Sequence, residues 1–309
     1  MSLNDDKDLQ ADSATPTPAG EAAAELAATA EEASQPEKRL SPFRRSPSLL
    51  IGTIIVAFFV LMAIFPQLFT SGDPYAIDGS QMLQPPSAEH LMGTDNFGYD
   101  IWTRVVYATS LDLIIGIASV SLPFVVGVLL GLLAGYYGGK LDSIIMRVLD
   151  CFVAFPFMVL AIAIVAILGS GVRNLIIAMW VVSWPEYTRL VRAEVLVAKQ
   201  SEYVQAAKTL GYSDMRIMFR HILPNVISSS VVYAASDVVM CIMTGAGMSF
   251  LGLGVPQPTP EWGAIISGGK SFITTAPWIS ILPGIMMAIV GLGLSLVGDG
   301  LNDLLRTKD

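Results

Sequence analysis

The sequence has 309 residues, of which 53% are hydrophobic and only 14% are charged, whereas a soluble domain has roughly 25% charged residues. The formal net charge is −8, but nine of the 26 acidic residues lie within residues 1–37, where Lys7 is the one basic residue. The rest of the chain has equal numbers of acidic and basic residues. This composition predicts a polytopic membrane protein, excludes an ordinary soluble domain and gives no sign of nucleic-acid binding.

Residues 1–45 form a predicted N-terminal tail. Its first 37 residues are rich in Ala, Glu, Asp, Thr and Pro, and they cannot bury enough apolar surface to become ordered. The basic residues Lys38, Arg39, Arg44 and Arg45 follow, just before the first long apolar run. We expect a disordered acidic tail with a basic end next to the membrane.

Six runs are predicted to cross a bilayer, which needs about 20 helical residues. They are residues 46–72, 113–139, 151–172, 174–192, 226–250 and 279–297. The predicted fold class is therefore all-α, with six transmembrane helices. The second run contains Gly127, Gly131 and Gly135 at four-residue spacing, which lets a neighbouring helix backbone approach closely.

The connecting segments fix the predicted orientation. Residues 73–107 are acidic and rich in proline, as expected of an extracytoplasmic loop; residues 108–300 form a core of five spans; and residues 301–309 form a C-terminal tail. With both termini inside, 15 of the 18 Lys and Arg residues lie on the cytoplasmic side, and those outside are Arg104, Arg173 and Lys270. This asymmetry is the one that the positive-inside rule requires.

A charged segment, residues 199–225, interrupts the apolar chain. Apolar residues recur at helical spacing in its first half, at Tyr203, Ala206, Ala207 and Leu210, which predicts a short amphipathic helix. Gly211 then occupies the position of a left-handed C-terminal cap, and Ser213 can cap a second helix that we expect to end at Pro224. The segment therefore predicts a helix, a glycine turn and a second helix.

This segment resembles the EAA loop of ABC importer permeases, which forms the helix that docks on the ATPase. The matching residues are Gln205, Ala206, Ala207 and Gly211, followed by Leu223 and Pro224 in a His221–Asn225 ending. Gln205 stands where the family usually has glutamate. Loss of one exposed charge should preserve docking, because exposed ion pairs contribute only ~0–1 kcal/mol.

Two further motifs narrow the resemblance to the C-type permeases of the dipeptide/oligopeptide group. They are His90–Asp100 and Ser249–Gly254, and the likeness covers about residues 45–305. Two interpretations of His90–Asp100 stay open: an outward loop near a substrate-binding protein, or a self-packed loop that covers the helices. The same alternatives hold for Trp262 and Gly263.

The resemblance implies a type I ABC importer permease fold in a bacterial cytoplasmic membrane. It also implies three kinds of partner: a second homologous permease, two cytoplasmic ATP-binding subunits that use ATP and magnesium, and an extracytoplasmic substrate-binding protein. The chain itself should bind no cofactor or metal and catalyse no reaction. Its Gly268–Ser271 sequence lacks the glycine that a phosphate-binding loop needs at position 264, where Ala264 stands.

Asp237 is the candidate residue of the translocation pathway. It lies in the middle of a predicted span, where an ionisable side chain costs ~2.5–3.5 kcal/mol and normally faces a cavity or a partner. One interpretation is a polar point in the pathway that meets the amino group of a peptide. The other is a hydrogen-bonded aspartate that holds two helices together.

Other functions and substrates stay open on the sequence alone. One alternative is an ion- or proton-coupled secondary transporter subunit with Asp237 as its ion site, although no internal repeat of the kind common in such transporters is visible. Another is a membrane scaffold that binds a partner through residues 199–225. For an importer, the substrates of relatives include dipeptides, oligopeptides, nickel chelates and oligosaccharides.

Overall fold

The computed structural model describes residues 47–306, which fold into ten α-helices without a β-strand. The helices are α1 Pro47–Ile64, α2 Ile101–Tyr137, α3 Gly139–Val153, α4 Phe157–Leu168, α5 Val172–Ala198, α6 Glu202–Thr209, α7 Asp214–Ile217, α8 Leu223–Phe250, α9 Trp262–Gly268 and α10 Trp278–Arg306. A π-helical turn, Met218–Ile222, joins α7 to α8. The prediction of an all-α fold is confirmed. The predicted tail, residues 1–45, lies outside the described residues.

Four helical segments among the described residues are long and apolar enough to span a membrane: α1, α2, the continuous α7–α8 segment Asp214–Phe250, and α10. A fifth span is obtained if α3 and α4 are taken together, although they meet at 80°. α5 covers the predicted span 174–192 but carries five charged residues, namely Arg173, Glu186, Arg189, Arg192 and Glu194. The count of six spans therefore stays a prediction.

Two predicted boundaries are corrected by the structure. α2 begins at Ile101, inside the segment 73–107 that we expected to be a loop, because the Asp100 carboxylate caps it by accepting the Thr103 N–H at 2.7 Å. The apolar run 151–172 is not one straight helix. Pro156 interrupts it, since proline lacks an N–H and disfavours helical geometry in the residue before it.

The glycines of α2 pack against α5, as predicted. A Cβ atom added at Gly131 would lie 2.7 Å from the Thr188 carbonyl oxygen, and one added at Gly135 would lie 2.8 Å from the Val195 Cβ. No side chain fits at these distances. The glycine row therefore lets α2 and α5 pack backbone to backbone along their length.

Two of the charged side chains of α5 form ion pairs with aspartates of α3. Arg192 donates two hydrogen bonds to the Asp142 carboxylate, at 2.5 and 2.7 Å, and the Arg189 guanidinium lies 3.5 Å from the Asp150 carboxylate. Paired bonds of this kind from one guanidinium to one carboxylate are geometrically specific. α3 is thus fixed along the charged part of α5.

Buried apolar side chains form separate clusters at the two ends of the bundle. One cluster joins α1, α2, α9 and α10, and it includes Met62, Ile101, Val105, Trp262 and Ile279. Another of the four clusters found among the described residues joins α2, α5 and the segment 199–225, and it includes Leu132, Val195, Val204, Ile217 and Met218. The segment 199–225 is therefore packed onto the bundle and is not a loose connection.

Candidate functional site

Residues 199–225, which we call the coupling segment, form a helix-turn-helix with a glycine at its centre. The turn after α6 has the hydrogen bonds of a Schellman motif: Gly211 N–H donates to the Lys208 carbonyl at 2.9 Å and Tyr212 N–H donates to the Ala207 carbonyl at 3.2 Å. Gly211 has a φ of 75°, and a Cβ atom there would meet nothing within 4 Å. Glycine is needed for its backbone conformation and not for space, as the sequence predicted.

The predicted apolar face of α6 is mostly exposed. Tyr203 is 42% exposed, Leu210 is 71% exposed and Ala206 is also exposed, so only Ala207 of the predicted set is buried. Val204, which the predicted stripe missed, packs inward with Ala207 instead. Their spacing of three residues was a usable signal, because i and i+3 lie on one helix face.

The second half of the coupling segment also differs from expectation. Ser213 stands at the N-cap position of α7, but its side chain makes no capping hydrogen bond. Pro224 does not end the helix: a π-helical turn precedes it, with Leu223 N–H donating to the Met218 carbonyl, and the chain continues into α8. The wider turn accommodates the proline, whose missing N–H would otherwise break the helical pattern.

Polar bonds attach the coupling segment to the end of α2 and stabilise the start of the segment itself. The Tyr136 hydroxyl at the end of α2 donates to the Asp214 carboxylate at 2.6 Å. Lys199 Nζ donates to the Gly135 carbonyl at 2.7 Å, and Gln205 Nε2 donates to the Lys199 carbonyl at 3.0 Å. A glutamate at position 205 has no such donor. The coupling segment is therefore bonded to α2, and it continues directly from the end of α5.

A stack of side chains stiffens the turn between α6 and α8. The Tyr212 ring stacks on His221 with 5.7 Å between ring centroids, and the Arg216 guanidinium lies 4.3 Å from the Tyr212 centroid. Asn225 Nδ2 donates to the Tyr203 hydroxyl at 3.1 Å. His221 and its neighbours thus hold the two helices of the coupling segment in one arrangement.

The coupling segment exposes both large apolar side chains and charged ones. Leu210, Met215 and Phe219 are 71, 58 and 41% exposed. The exposed charged side chains near them in sequence are the basic Lys208, Arg216 and Arg220 and the acidic Glu202 and Asp214. We call this the coupling surface. Exposed apolar side chains within a polar rim are typical of a protein-binding site.

Asp237 joins two helices and also lines a cavity. It is 8% exposed, and its Oδ2 atom accepts a hydrogen bond from the Tyr187 hydroxyl at 2.8 Å. The cavity has a volume of about 410 Å³ and lies between the α3–α4 bend, α5 and α8. Ser183, Glu186 and Tyr233 are its other polar lining residues. The hydrogen bond to Tyr187 supports a structural role for Asp237, and its place in the cavity lining supports a role in the pathway. The sequence analysis identified neither Tyr187 as its partner nor Ser183 as a lining residue.

The His90–Asp100 motif packs against its own surroundings. His90 Nδ1 lies 2.8 Å from the Asp100 carboxylate, and Trp278 Nε1 donates to the Thr94 carbonyl at 3.2 Å. Burial raises the pKa of the Asp95 carboxyl, although the N–H groups of Phe97 and Tyr99 donate to it and oppose the rise. These bonds favour the interpretation of a self-packed loop.

Trp262 is buried in the cluster that joins α1, α2, α9 and α10. Its ring is fully buried, its backbone N–H donates to the Asp112 carboxylate at 3.1 Å, and its indole N–H donates to the Val105 carbonyl at 3.2 Å. The Glu261 carboxylate caps α9 by accepting the N–H groups of Gly263 and Ala264. Trp262 is therefore part of the packing between α2 and α9, whereas Gly263 lies against α8, where an added Cβ atom would clash with Ala246.

Solved structures show the same fold. A chain from the inward-facing MetNI methionine ABC transporter matches with a TM-score of 0.54 at 19% identity, covering 67% of this chain and 96% of that one. A second crystal form of that transporter matches with a TM-score of 0.53 at 18% identity, covering 66% of this chain and 96% of that one. The helical bundle thus has the type I ABC importer permease fold.

Sequence comparisons establish the family. Residues 127–308 match the model of the binding-protein-dependent transport system inner membrane component, and residues 40–86 match the N-terminal transmembrane domain of oligopeptide transport permease C. The chain belongs to the binding-protein-dependent transport system inner membrane component family, so it is a multi-pass permease of the inner membrane. The secondary-transporter alternative is not favoured.

Named relatives cover nearly the whole chain. The dipeptide transport system permease protein of Alkalihalophilus pseudofirmus is 43% identical over 86% of this chain and 87% of its own length. The glutathione transport system permease protein of Pectobacterium atrosepticum is 40% identical over 86% of this chain and 89% of its own. The probable D,D-dipeptide transport system permease protein of Escherichia coli is 38% identical over 85% and 88%, respectively.

Proposed function

We propose that this permease imports small peptides and that its coupling surface docks on a cytoplasmic ATPase. The observation that carries the docking proposal is the exposed apolar group Leu210, Met215 and Phe219, with exposed charged side chains near it in sequence and with the segment fixed to the bundle through Tyr136 and Lys199. The substrate class is supported by the relatives, whose names specify dipeptides, D,D-dipeptides and glutathione.

The proposed mechanism follows from the attachment of the segment. Two ATPase subunits, using ATP and magnesium, close together and push on the coupling segment. Because the segment is bonded to α2 and continues from α5, the push moves both helices and changes the access of a central pathway from one side of the membrane to the other. Gln205, Ala206, Ala207, Gly211, His221, Leu223 and Pro224 act as coupling residues and not as catalysts.

The remaining partners are part of the same proposal. A second, homologous permease forms the other half of the pathway, and an extracytoplasmic binding protein delivers the substrate. Both termini lie in the cytoplasm in this proposal, which the asymmetry of Lys and Arg supports. In this arrangement, the coupling surface faces the ATPases and the His90–Asp100 loop faces the opposite side of the membrane.

Replacing Leu210 by glutamate tests the docking proposal. The side chain is 71% exposed, so the substitution leaves the packing of the bundle intact while placing a charge on the coupling surface. We expect Leu210→Glu to insert normally but to lose co-purification with the ATPase subunits and ATP-dependent peptide uptake into proteoliposomes.

The matched control is Leu91→Glu, which makes the same change at a 58% exposed leucine of the predicted outer loop. It should retain ATPase association. Equal loss of association in both variants would contradict docking through the coupling surface. Uptake that persists without any ATPase, driven by a proton gradient, would contradict the importer mechanism itself.

A further inference from the structure

The cavity beside Asp237 has the size and lining of a ligand site. Its volume of about 410 Å³ lies within the range of ~300–1,000 Å³ found for small-molecule pockets. Most of the lining is apolar or aromatic, with Phe152, Phe155 and Phe157 from the α3–α4 bend on one side. Four polar residues, Ser183, Glu186, Tyr233 and Asp237, lie among them.

The ionisable carboxyl groups in the cavity lining are acidic, with no basic side chain among the described lining residues. Glu186 and Asp237 are both carboxylic acids, and none of the described residues that line the cavity is Lys, Arg or His. Tyr187 donates to one oxygen of Asp237, but a carboxylate accepts several hydrogen bonds. Asp237 is buried and Glu186 is exposed at the same cavity; two acids with no basic residue in the described part of the lining favour a positively charged ligand.

The hydroxyl group of Ser183, which also lines the cavity, lacks a hydrogen-bond partner in the part of the chain that the structure describes. Ser183 is 5% exposed, and its Oγ atom is buried without a hydrogen-bond partner among the described residues. It lines the same cavity, three residues before Glu186 on α5 and hence on the same helix face. An unpaired buried hydroxyl costs free energy unless a ligand or water bonds to it.

The oxygen atoms of the lining residues suit an ammonium group better than a metal ion. Hard cations such as Ca²⁺ take six to eight oxygen ligands, and the described residues contain no group of three or more His, Cys, Asp or Glu arranged to hold a metal. A primary ammonium needs only two or three acceptors, and Glu186, Asp237 and Ser183 each have an acceptor oxygen and line the cavity. The phenyl rings add attraction for a cation and apolar contact for the rest of the ligand.

We propose that this cavity binds the N-terminal ammonium group of the transported peptide between Glu186 and Asp237, with Ser183 as a third acceptor and the phenylalanines contacting the first side chain. This inference rests on the proposed function, since it assumes that peptides enter the permease. It adds a specificity for a free amino terminus within the membrane, separate from any selection by a binding protein.

Protection of a cavity cysteine tests the proposal directly. Met240, a lining residue that is 57% exposed, is replaced by cysteine in a Cys151→Ser background, and the permease is assembled with its partner permease and ATPases in nanodiscs without the binding protein. The rate of maleimide labelling is measured with tri-alanine and with N-acetyl-tri-alanine. We expect tri-alanine to slow labelling and the acetylated peptide to leave it unchanged.

Neutral variants provide the second part of the test. Glu186→Gln combined with Asp237→Asn keeps the size of both side chains and an acceptor for Tyr187, and it should require about tenfold more tri-alanine for the same protection, because charged hydrogen bonds are replaced by neutral ones. Asp150→Asn removes a carboxylate that pairs with Arg189 and does not line the cavity. Its protection should match the parent.

Equal protection by the two peptides, no protection by either, or unchanged protection in the double variant would each overturn the inference. ATP-dependent uptake of tri-alanine with the binding protein present is measured in parallel on the same preparations. Retained uptake alongside any of these results would leave the proposed function intact. Uptake that no longer depends on the ATPases would refute the proposed function, whatever the labelling shows.

Discussion

The same pair of side chains, a tyrosine hydroxyl donating to an aspartate, occurs in two regions of this permease with different surroundings. Tyr187 donates to Asp237 at 2.8 Å inside the bundle, whereas Tyr136 donates to Asp214 at 2.6 Å at the solvent-exposed coupling segment. Water can replace the Tyr136 hydroxyl freely, whereas Asp237 is only 8% exposed and its remaining exposed surface faces the cavity. We therefore expect the buried contact to contribute mainly to stability, and we propose that the exposed one transmits movement of the coupling segment.

The larger loss of stability is expected at the buried pair. Tyr187→Phe leaves the Asp237 carboxylate without its donor, which costs about 1–3 kcal/mol for a buried polar group. We expect a clearly lower thermal denaturation midpoint for the purified complex.

The matched control is Tyr233→Phe, which removes the hydroxyl of a neighbouring tyrosine whose ring packs edge-on against Tyr187 at 4.9 Å. Its midpoint should stay closer to that of the wild type. A Tyr187→Phe variant no less stable than this control would show that the buried pair has no special role.

The smaller loss of stability is expected at the exposed pair. Tyr136→Phe should change the denaturation midpoint little, because water replaces the lost donor and a typical hydrogen bond contributes only about 0.5–1.5 kcal/mol. It should nevertheless lower the substrate transported per ATP hydrolysed, since α2 loses a direct bond to the coupling segment.

The adjacent change Tyr137→Phe, at a 48% exposed side chain, supplies the control, and transport per ATP should be normal there. If Tyr136→Phe lowers stability as much as Tyr187→Phe and leaves the transport ratio unchanged, the contrast between the two regions is wrong.

The two regions also differ in how far the sequence predicts them. The turn at Gly211 is encoded locally, because its hydrogen bonds join residues within about one helical turn. Helix spacing and the glycine were therefore sufficient to predict the first helix and the turn. The inward face of α6 was not predicted, because an eight-residue helix carries apolar residues on two faces and only the contact with α2 and α5 selects Val204. The π-helical turn before Pro224 also depends on this packing.

The cavity depends on contacts that are distant in sequence. Asp237 could be singled out because a charged residue in an apolar run is conspicuous, but its partner Tyr187 is fifty residues away. Ser183 is an ordinary residue in the sequence, and only the structure shows that it lacks a partner. The bend at Pro156 brings three phenylalanines to the cavity. It was not predicted, because Pro156 lies within a continuous apolar run that we interpreted as one straight span.

The most direct test of coupling through residues 199–225 compares Gly211→Pro with Gly211→Ala in co-purification and ATP-dependent peptide uptake. Proline fixes φ near −65°, far from the 75° found here, whereas alanine meets no neighbouring atom and adds only backbone strain of about 1–2 kcal/mol. We predict that the proline variant inserts but loses both ATPase association and uptake, while the alanine variant retains most of each. Normal uptake by an inserted Gly211→Pro permease would contradict the account.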